Sequence, residues 1–316
     1  MDRGERQAGA EQLARVEHYE RLLDELLASL HEPETLSAHR AAADALAAYY
    51  GSAAWKEDFA AEEAGRFPAS LKRGVLSEDG IYNALEAYRE AAEEARSRYR
   101  VIDPERYYRK GVYRHFTQDC KCSTSMTARL DVTALVERSK RTGTKFYLNF
   151  LYLLAKTLNS REDYRMGYLW QTDALVCYDV IHPTQYVFHE DTETCTPVYT
   201  TYCEDYAAFY CGALEDLERA KETRDYLLDA AGHPNWFDAS YIPWLSYDAL
   251  HLELPDGYLY FAPIVNWGKY REENGRLLMP VTVRLNHAIA DGYLLALIFR
   301  LLQREIDGFC EDAARL

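Results

Sequence analysis

The residues with the clearest chemical potential lie near the C-terminus, in the stretch RLNHAIADGY over 284–293. A predicted β-strand delivers His287 to its end, Asp291 follows four residues later, and Gly292 permits a turn into an apolar helix. A histidine at a strand-to-helix junction is well placed as a general base, because its unperturbed pKa lies near neutrality. The same spacing fits a core histidine hydrogen-bonded to backbone, and an isolated His-x-x-x-Asp by itself favours that second reading. His189, Glu190, Asp191 and Glu193 resemble a ligand cluster. Side chains in a strand point to alternate faces, so a solvated hairpin is expected there and no metal site. Cys120 and Cys122 form a close pair without the matching second pair of a zinc site. The chain carries no G-x-x-x-x-G-K-[ST], no G-x-G-x-x-G after a strand, no H-E-x-x-H and no G-x-S-x-G. Redox, phosphate-transfer and zinc-hydrolase chemistry therefore lose their usual support.

Positioning these groups falls to two differently patterned regions. After Asp103 and Pro104, short β-rich runs are predicted at 123–130, 175–180, 186–189, 197–201, 258–265 and 278–285. Helices are predicted at 146–159, with Phe150, Leu153, Leu154 and Leu158 on one stripe, at 206–230, and from 293 to about 306. Strands and helices mix irregularly, without the strict alternation of a doubly wound sheet. The first hundred residues read as helix almost throughout. Leu13, Val16, Leu22, Leu23, Leu26, Leu27 and Leu30 recur at three- and four-residue spacing, and Pro33 ends that helix. A second helix is predicted from near Ser37, whose hydroxyl would cap it, to Tyr50 before Gly51. Residues 54–74 read as ordered loop or short helix, and a third helix from Ser77 turns Ile81, Leu85 and Tyr88 inward. The expected division is a helical module over 1–100 and a second domain over 101–316.

Composition narrows the setting. The 316 residues carry 51 acids against 36 bases, a net charge of −15, of which −7 falls in residues 1–100. So acidic a surface disfavours nucleic acid and anionic membranes as partners. The stretch MDRGERQAGAEQ has no apolar core, so no secretory signal is expected. The longest apolar run, 294–299, is too short to span a bilayer. Seven cysteines, an odd count, read as reduced thiols of a cytoplasmic protein.

The surroundings of His287 carry a family resemblance. SYIPWLSYDALHLELPDGYLYFAPIVNWGKYREENGRLLMPVTVRLNHAIADGY, over 240–293, resembles the C-terminal half of chloramphenicol acetyltransferases. YRKGVYRHF, TARLDVT, KFYLNFLYLLAKTLN, YRMGY and YVFHEDTET follow the family's order, and the likeness spans roughly 103–310. Ser240 precedes His287 by 47 residues, the family's own spacing.

The resemblance implies an α+β fold, a two-layer sandwich of a mixed β-sheet covered by helices, here preceded by a small all-α domain. It implies an acetyl-CoA-dependent O-acetyltransferase acting on chloramphenicol or a similar hydroxylated small molecule. His287 corresponds to the general base, Ser240 to the oxyanion donor, and Asp291 with Arg109 to a buried ion pair that holds the active-site loop. Lys145, Tyr147, Trp244, Lys269 and Tyr270 match positions that meet CoA, and Phe116, Cys122, Tyr260 and Ile264 match acceptor-pocket positions. The family assembles as a homotrimer with active sites between subunits. Asn286 replaces the first histidine of the family's His-His-Ala-x-x-Asp-Gly, and Asp238 would place a carboxylate near the pocket.

Two rival functions share the fold. A dihydrolipoyl acyltransferase core normally carries a lipoyl domain and flexible linker, which residues 1–100 do not offer. A non-catalytic protein that holds a small ligand is disfavoured by intact His287 and Ser240. The extension resembles, through YYGSAAWKEDF and LKRGVLSEDGIYNALEAYRE, a small bacterial helical domain of unassigned function, for which passive docking is the expectation.

Overall fold

The computed structural model describes residues 9–31, 33–225, 233–254 and 259–311. By internal contacts the chain divides into two compact units, Met1–Arg96 and Ser97–Leu316.

The first unit contains α1 (Ala10–Ser29), α2 (Arg40–Tyr50), α3 (Ala53–Glu63) and α4 (Glu78–Arg96). Helical spacing brings Val16, Leu23 and Leu26 of α1 against Leu46 of α2, and Ile81 and Leu85 of α4 join the same core. The second helix starts later than the sequence pattern suggests, because Pro33–His39 forms a 3₁₀ turn first. The capping role expected of the Ser37 hydroxyl lies outside the described side chains. Part of the segment read as ordered loop or short helix is α3, whose start is fixed by the Ser52 hydroxyl accepting the Trp55 N–H at 3.1 Å. Inside the unit, Asp58 is fully buried (0% exposed). Its carboxylate accepts two hydrogen bonds from Arg15, at 2.8 and 2.7 Å, and one from the Tyr49 hydroxyl at 2.9 Å.

In the second unit β1 (Tyr99–Val101) straddles the expected boundary at residue 100 and joins a small antiparallel sheet. Then follow α5 (Lys110–Arg114), β2 (Ser123–Asp131), α6 (Thr133–Thr142), α7 (Phe146–Asn159), β3 (Met166–Leu169), β4 (Ala174–Tyr178), β5 (His182–His189), β6 (Thr194–Tyr199) and α8 (Tyr206–Lys221). The chain continues through β7 (Trp236–Ile242), β8 (Ile264–Gly268), β9 (Arg271–Glu273), β10 (Arg276–Asn286) and α9 (Gly292–Glu311). The small sheet has the order β1-β4-β3 and the large one β2-β10-β8-β7-β5-β6, with β9 beside β10. The large sheet is mixed, since β5, β7 and β8 run parallel while the other pairings are antiparallel. This is the expected α+β arrangement of a mixed sheet with helices.

Alternation sorts the strand residues between two faces. Val281, Val283 and Leu285 of β10, Val265 and Trp267 of β8, and Phe237 and Ala239 of β7 share a core with Phe150 of α7 and Leu295 and Ile298 of α9. Thr282 and Arg284, Ile264 and Asn266, and Asp238 and Ser240 therefore take the opposite face. The predicted strand at 258–265 begins in fact at Ile264, with 255–258 outside the described residues. The predicted helix at 206–230 ends at Lys221, and 226–230 are not described. The 189–193 cluster is a hairpin, as expected, solvated at 190–193 but not at His189. His189 is buried with its Nε2 2.9 Å from the Thr196 hydroxyl, and Asp191 pairs with Arg224 at 2.9 Å. Among the described residues there is no metal-type cluster, and no helix is long and apolar enough to cross a membrane.

The buried Asp58 carboxylate supplies a stability test. Arg15→Ala strands it without its counter-ion, which commonly costs roughly 3–5 kcal/mol. Urea unfolding followed by the helical signal of this unit should show that loss, and a change below about 0.5 kcal/mol, the ordinary surface range, would contradict it.

Candidate active site

Each half of the site grows out of one end of β10 and its neighbours. Val-Thr-Val at 281–283 is β-branched and packs between β2 and β8, so β10 is held in register on both sides. His287 is the first residue beyond that strand, and its backbone N–H donates to the Cys122 carbonyl at 3.0 Å. The imidazole lies flat on the Phe116 ring, with centroids 3.9 Å apart and planes 11° from parallel. Its Nδ1 is buried and has no hydrogen-bond partner. The backbone-bonded core histidine that spacing favoured is therefore not what is seen, since only the main-chain N–H is engaged.

Asp291 does two jobs with two oxygens. Oδ1 accepts the N–H groups of Tyr293 and Leu294, at 3.0 and 3.2 Å, and so caps α9. Oδ2 accepts from the Arg109 guanidinium at 2.9 Å. That hydrogen bond, with the two backbone N–H groups, holds the carboxyl below the usual carboxylate range. Arg109 is mostly buried (12% exposed) but Asp291 is 41% exposed in the single chain, so the expected buried pair is only half enclosed. Burial is the largest single influence and works against the Arg109 charge, yet the bonds to Asp291 and Tyr108 and their charges together outweigh it and its pKa is raised. Behind Arg109, Tyr108 donates to Asp163, which also pairs with Arg161 at 2.8 Å. Sequence reasoning missed this support, because Tyr108 and Asp163 sit in polar runs without a pattern.

Ser240 lies elsewhere in the sheet. It stands opposite Asn266 of β8, which stands opposite Thr282 of β10. His287 is five residues further along and two strands across, roughly 19 Å away at strand spacings of about 3.3 and 4.8 Å. One chain does not bring the two together. With Ser240 go Ile264, which is buried, and Tyr260, whose hydroxyl donates to Asp238 at 2.7 Å. Tyr186 donates to the other Asp238 oxygen at 2.7 Å. Phe116 and Cys122 stay with His287, so the positions matched to an acceptor pocket also divide into two groups.

The nearby Arg284, also unremarked in the sequence, is 4% exposed, bonds the Ser123 hydroxyl at 2.6 Å and leaves Nη1 buried without a partner. Burial lowers its pKa. A lone arginine in the run VTVRLN was the available signal.

The positions matched to CoA are partly gathered. Phe146, between Lys145 and Tyr147, meets the Tyr270 ring edge-on at 5.7 Å, which places exposed Lys145 and exposed Lys269 on adjoining segments. Trp244 is 60% exposed and packs on Phe188. Tyr147 packs inward. Its ring stacks on Trp267 at 5.7 Å, its hydroxyl is buried without a partner, and burial pushes its pKa up. The Tyr147 ring thus serves as packing against Trp267, while Tyr270 is half-buried.

The family profile described as chloramphenicol acetyltransferase matches residues 97–303. The chain belongs to that family. Membership makes it an acyltransferase. A second profile, "Domain of unknown function (DUF4298)", matches residues 13–97. Chloramphenicol acetyltransferase of Clostridium perfringens is 29% identical over 206 residues, 65% of this chain and 94% of the relative. Chloramphenicol acetyltransferase 2 of Haemophilus influenzae is 31% identical over 206 residues, 65% of this chain and 96% of the relative. The enzyme of Streptomyces acrimycini is 33% identical over 202 residues, 64% and 91% respectively. A solved chloramphenicol acetyltransferase structure superposes with a TM-score of 0.62 at 22% identity, covering 66% of this chain and all of that one, which bears out the fold.

The ion pair gives a pH-dependent expectation. Asn caps a helix about as well as Asp, so Asp291→Asn removes the charge and keeps the cap. Because the folded-state pKa is depressed, the stabilisation is present above the unfolded carboxylate pKa, about 3.9, and is lost as pH falls through the lower folded value. With Asp291 half-exposed, the expected difference from wild type is about 1–2 kcal/mol at pH 7. Thermal unfolding from pH 7 to pH 2 should show that gap closing. A gap that persists to pH 2 would contradict the assignment.

Proposed function

We propose that the protein is an acetyl-CoA-dependent O-acetyltransferase that acetylates chloramphenicol or a similar hydroxylated small molecule. The observation that carries this reading is the His287 imidazole, clamped face-to-face on Phe116 with no backbone bond to its ring. His287 takes the proton of the acceptor hydroxyl as that oxygen attacks the thioester carbonyl carbon. The Ser240 hydroxyl donates to the resulting oxyanion. His287 then returns its proton to the departing CoA sulfur, and the acetyl group has passed directly between substrates. Arg109 and Asp291 transfer no proton in this scheme and keep the loop after His287 in place.

The separation of His287 and Ser240 along one sheet supports a homotrimer with each site between subunits, His287 coming from one copy and Ser240 from the next. Lys145 and Lys269 supply point charges for the CoA phosphates, and Tyr270 and Trp244 supply flat faces. In an acidic chain such local cations are what a polyanionic cosubstrate requires. The described cysteines are all free thiols, which supports a cytoplasmic setting.

A thiol-release assay with acetyl-CoA and chloramphenicol tests the reading. His287→Ala should lower the rate by about 10²–10⁴, and Ser240→Ala by about 10²–10³. Release by wild type that His287→Ala matches would overturn the proposed base. Release with another hydroxylated acceptor but none with chloramphenicol would keep the mechanism and change the substrate.

A further inference from the structure

Two thiols sit on the supports of His287. Cys120 and Cys122 are both free and both exposed, two residues apart in the chain, and burial, helped by the neighbouring Cys120 thiol, raises the pKa of Cys122. The Cys122 carbonyl is the acceptor that holds the His287 N–H, at 3.0 Å. The Cys120 N–H donates to the His115 carbonyl at 2.9 Å and closes the turn His115–Asp119. That turn carries Phe116, the ring on which His287 lies.

We propose that Cys120 and Cys122 form an oxidisable dithiol, taking a low-molecular-weight disulfide as its reagent, and that closing it disturbs the seat of His287. One thiolate attacks a sulfur of the small disulfide, forming a mixed disulfide and expelling one small thiol. The second thiolate attacks the protein sulfur of that mixed disulfide and expels the other small thiol. The small disulfide is reduced to two thiols and the protein gains one S–S bond.

Geometry links the bond to the site. Residues two apart span at most about 6.6–7.2 Å between Cα atoms, and a disulfide usually bridges about 4.4–6.8 Å, so the pair lies within reach of a bond. Closing the ring constrains the backbone at Lys121, which lies between the Cys122 carbonyl and the turn under Phe116, and both of these hold His287.

The inference rests on the proposed role of His287, so one test arm is independent of turnover. The full chain is treated with oxidised glutathione, and free thiols are alkylated before peptide mapping by mass spectrometry. We expect an internal Cys120–Cys122 bond, a shift of the His287 ring resonances in NMR, and a fall in CoA release of about tenfold. Dithiothreitol should reverse all three, and Cys120→Ser should abolish the oxidation-dependent change. Glutathione adducts without the internal bond would overturn the proposal. So would an internal bond that leaves the His287 resonances unmoved. A reduced chain that releases no CoA counts against the proposed function, while the mapping and the resonances still decide the dithiol.

Discussion

The hydrogen-bonded register of β10 against β2 and β8 constrains where every reactive group can act. Eleven residues of continuous strand leave no slack, so the distance from Thr282 to His287 is set by the pleat. The pairing of Asn286 with Ser123 brings Cys122 under the His287 N–H. The row Thr282, Asn266, Ser240 fixes the serine at the other end of the sheet face. A one-residue slip would turn His287 to the other face and bury Arg284 in the core, which a core this apolar opposes.

The loop after His287 is pinned by one carboxylate. Asp291 ties the start of α9 to Arg109, 182 residues earlier in the chain, through oxygens that satisfy different donors. Capping orients the carboxylate, and orientation makes the ion pair geometrically possible. Exposure of the Asp291 side limits what the pair contributes to stability. Its larger contribution in this account is positional, since it bounds the segment in which His287 sits.

Much of this was legible in the sequence where periodicity is strong. The helix Phe146–Asn159 has an apolar stripe wide enough to fix both its type and its bounds. The strand before His287 reads from its β-branched residues. β7 was not legible, because Asp238 and Ser240 alternate with Phe237 and Ala239 in a segment too polar on one face to announce itself. Arg109 required the resemblance, since one arginine among polar residues has no pattern of its own. Asp291 as a helix cap could have been read from its place just before an apolar helix. Asp58 could not, because a carboxylate on an amphipathic helix normally faces water, and only the tertiary approach of Arg15 and Tyr49 shows otherwise.

On the proposed mechanism a complete site needs two copies of the chain, one giving His287 and the other Ser240. Mixing tests it most directly. His287→Ala and Ser240→Ala proteins are prepared separately, unfolded together, refolded as hybrids and assayed for CoA release. If the site is shared, hybrid assemblies contain some interfaces with both residues intact, and activity should rise well above that of either variant refolded alone. Hybrids that remain as inactive as the separate variants, while wild type refolds to full activity, would contradict it.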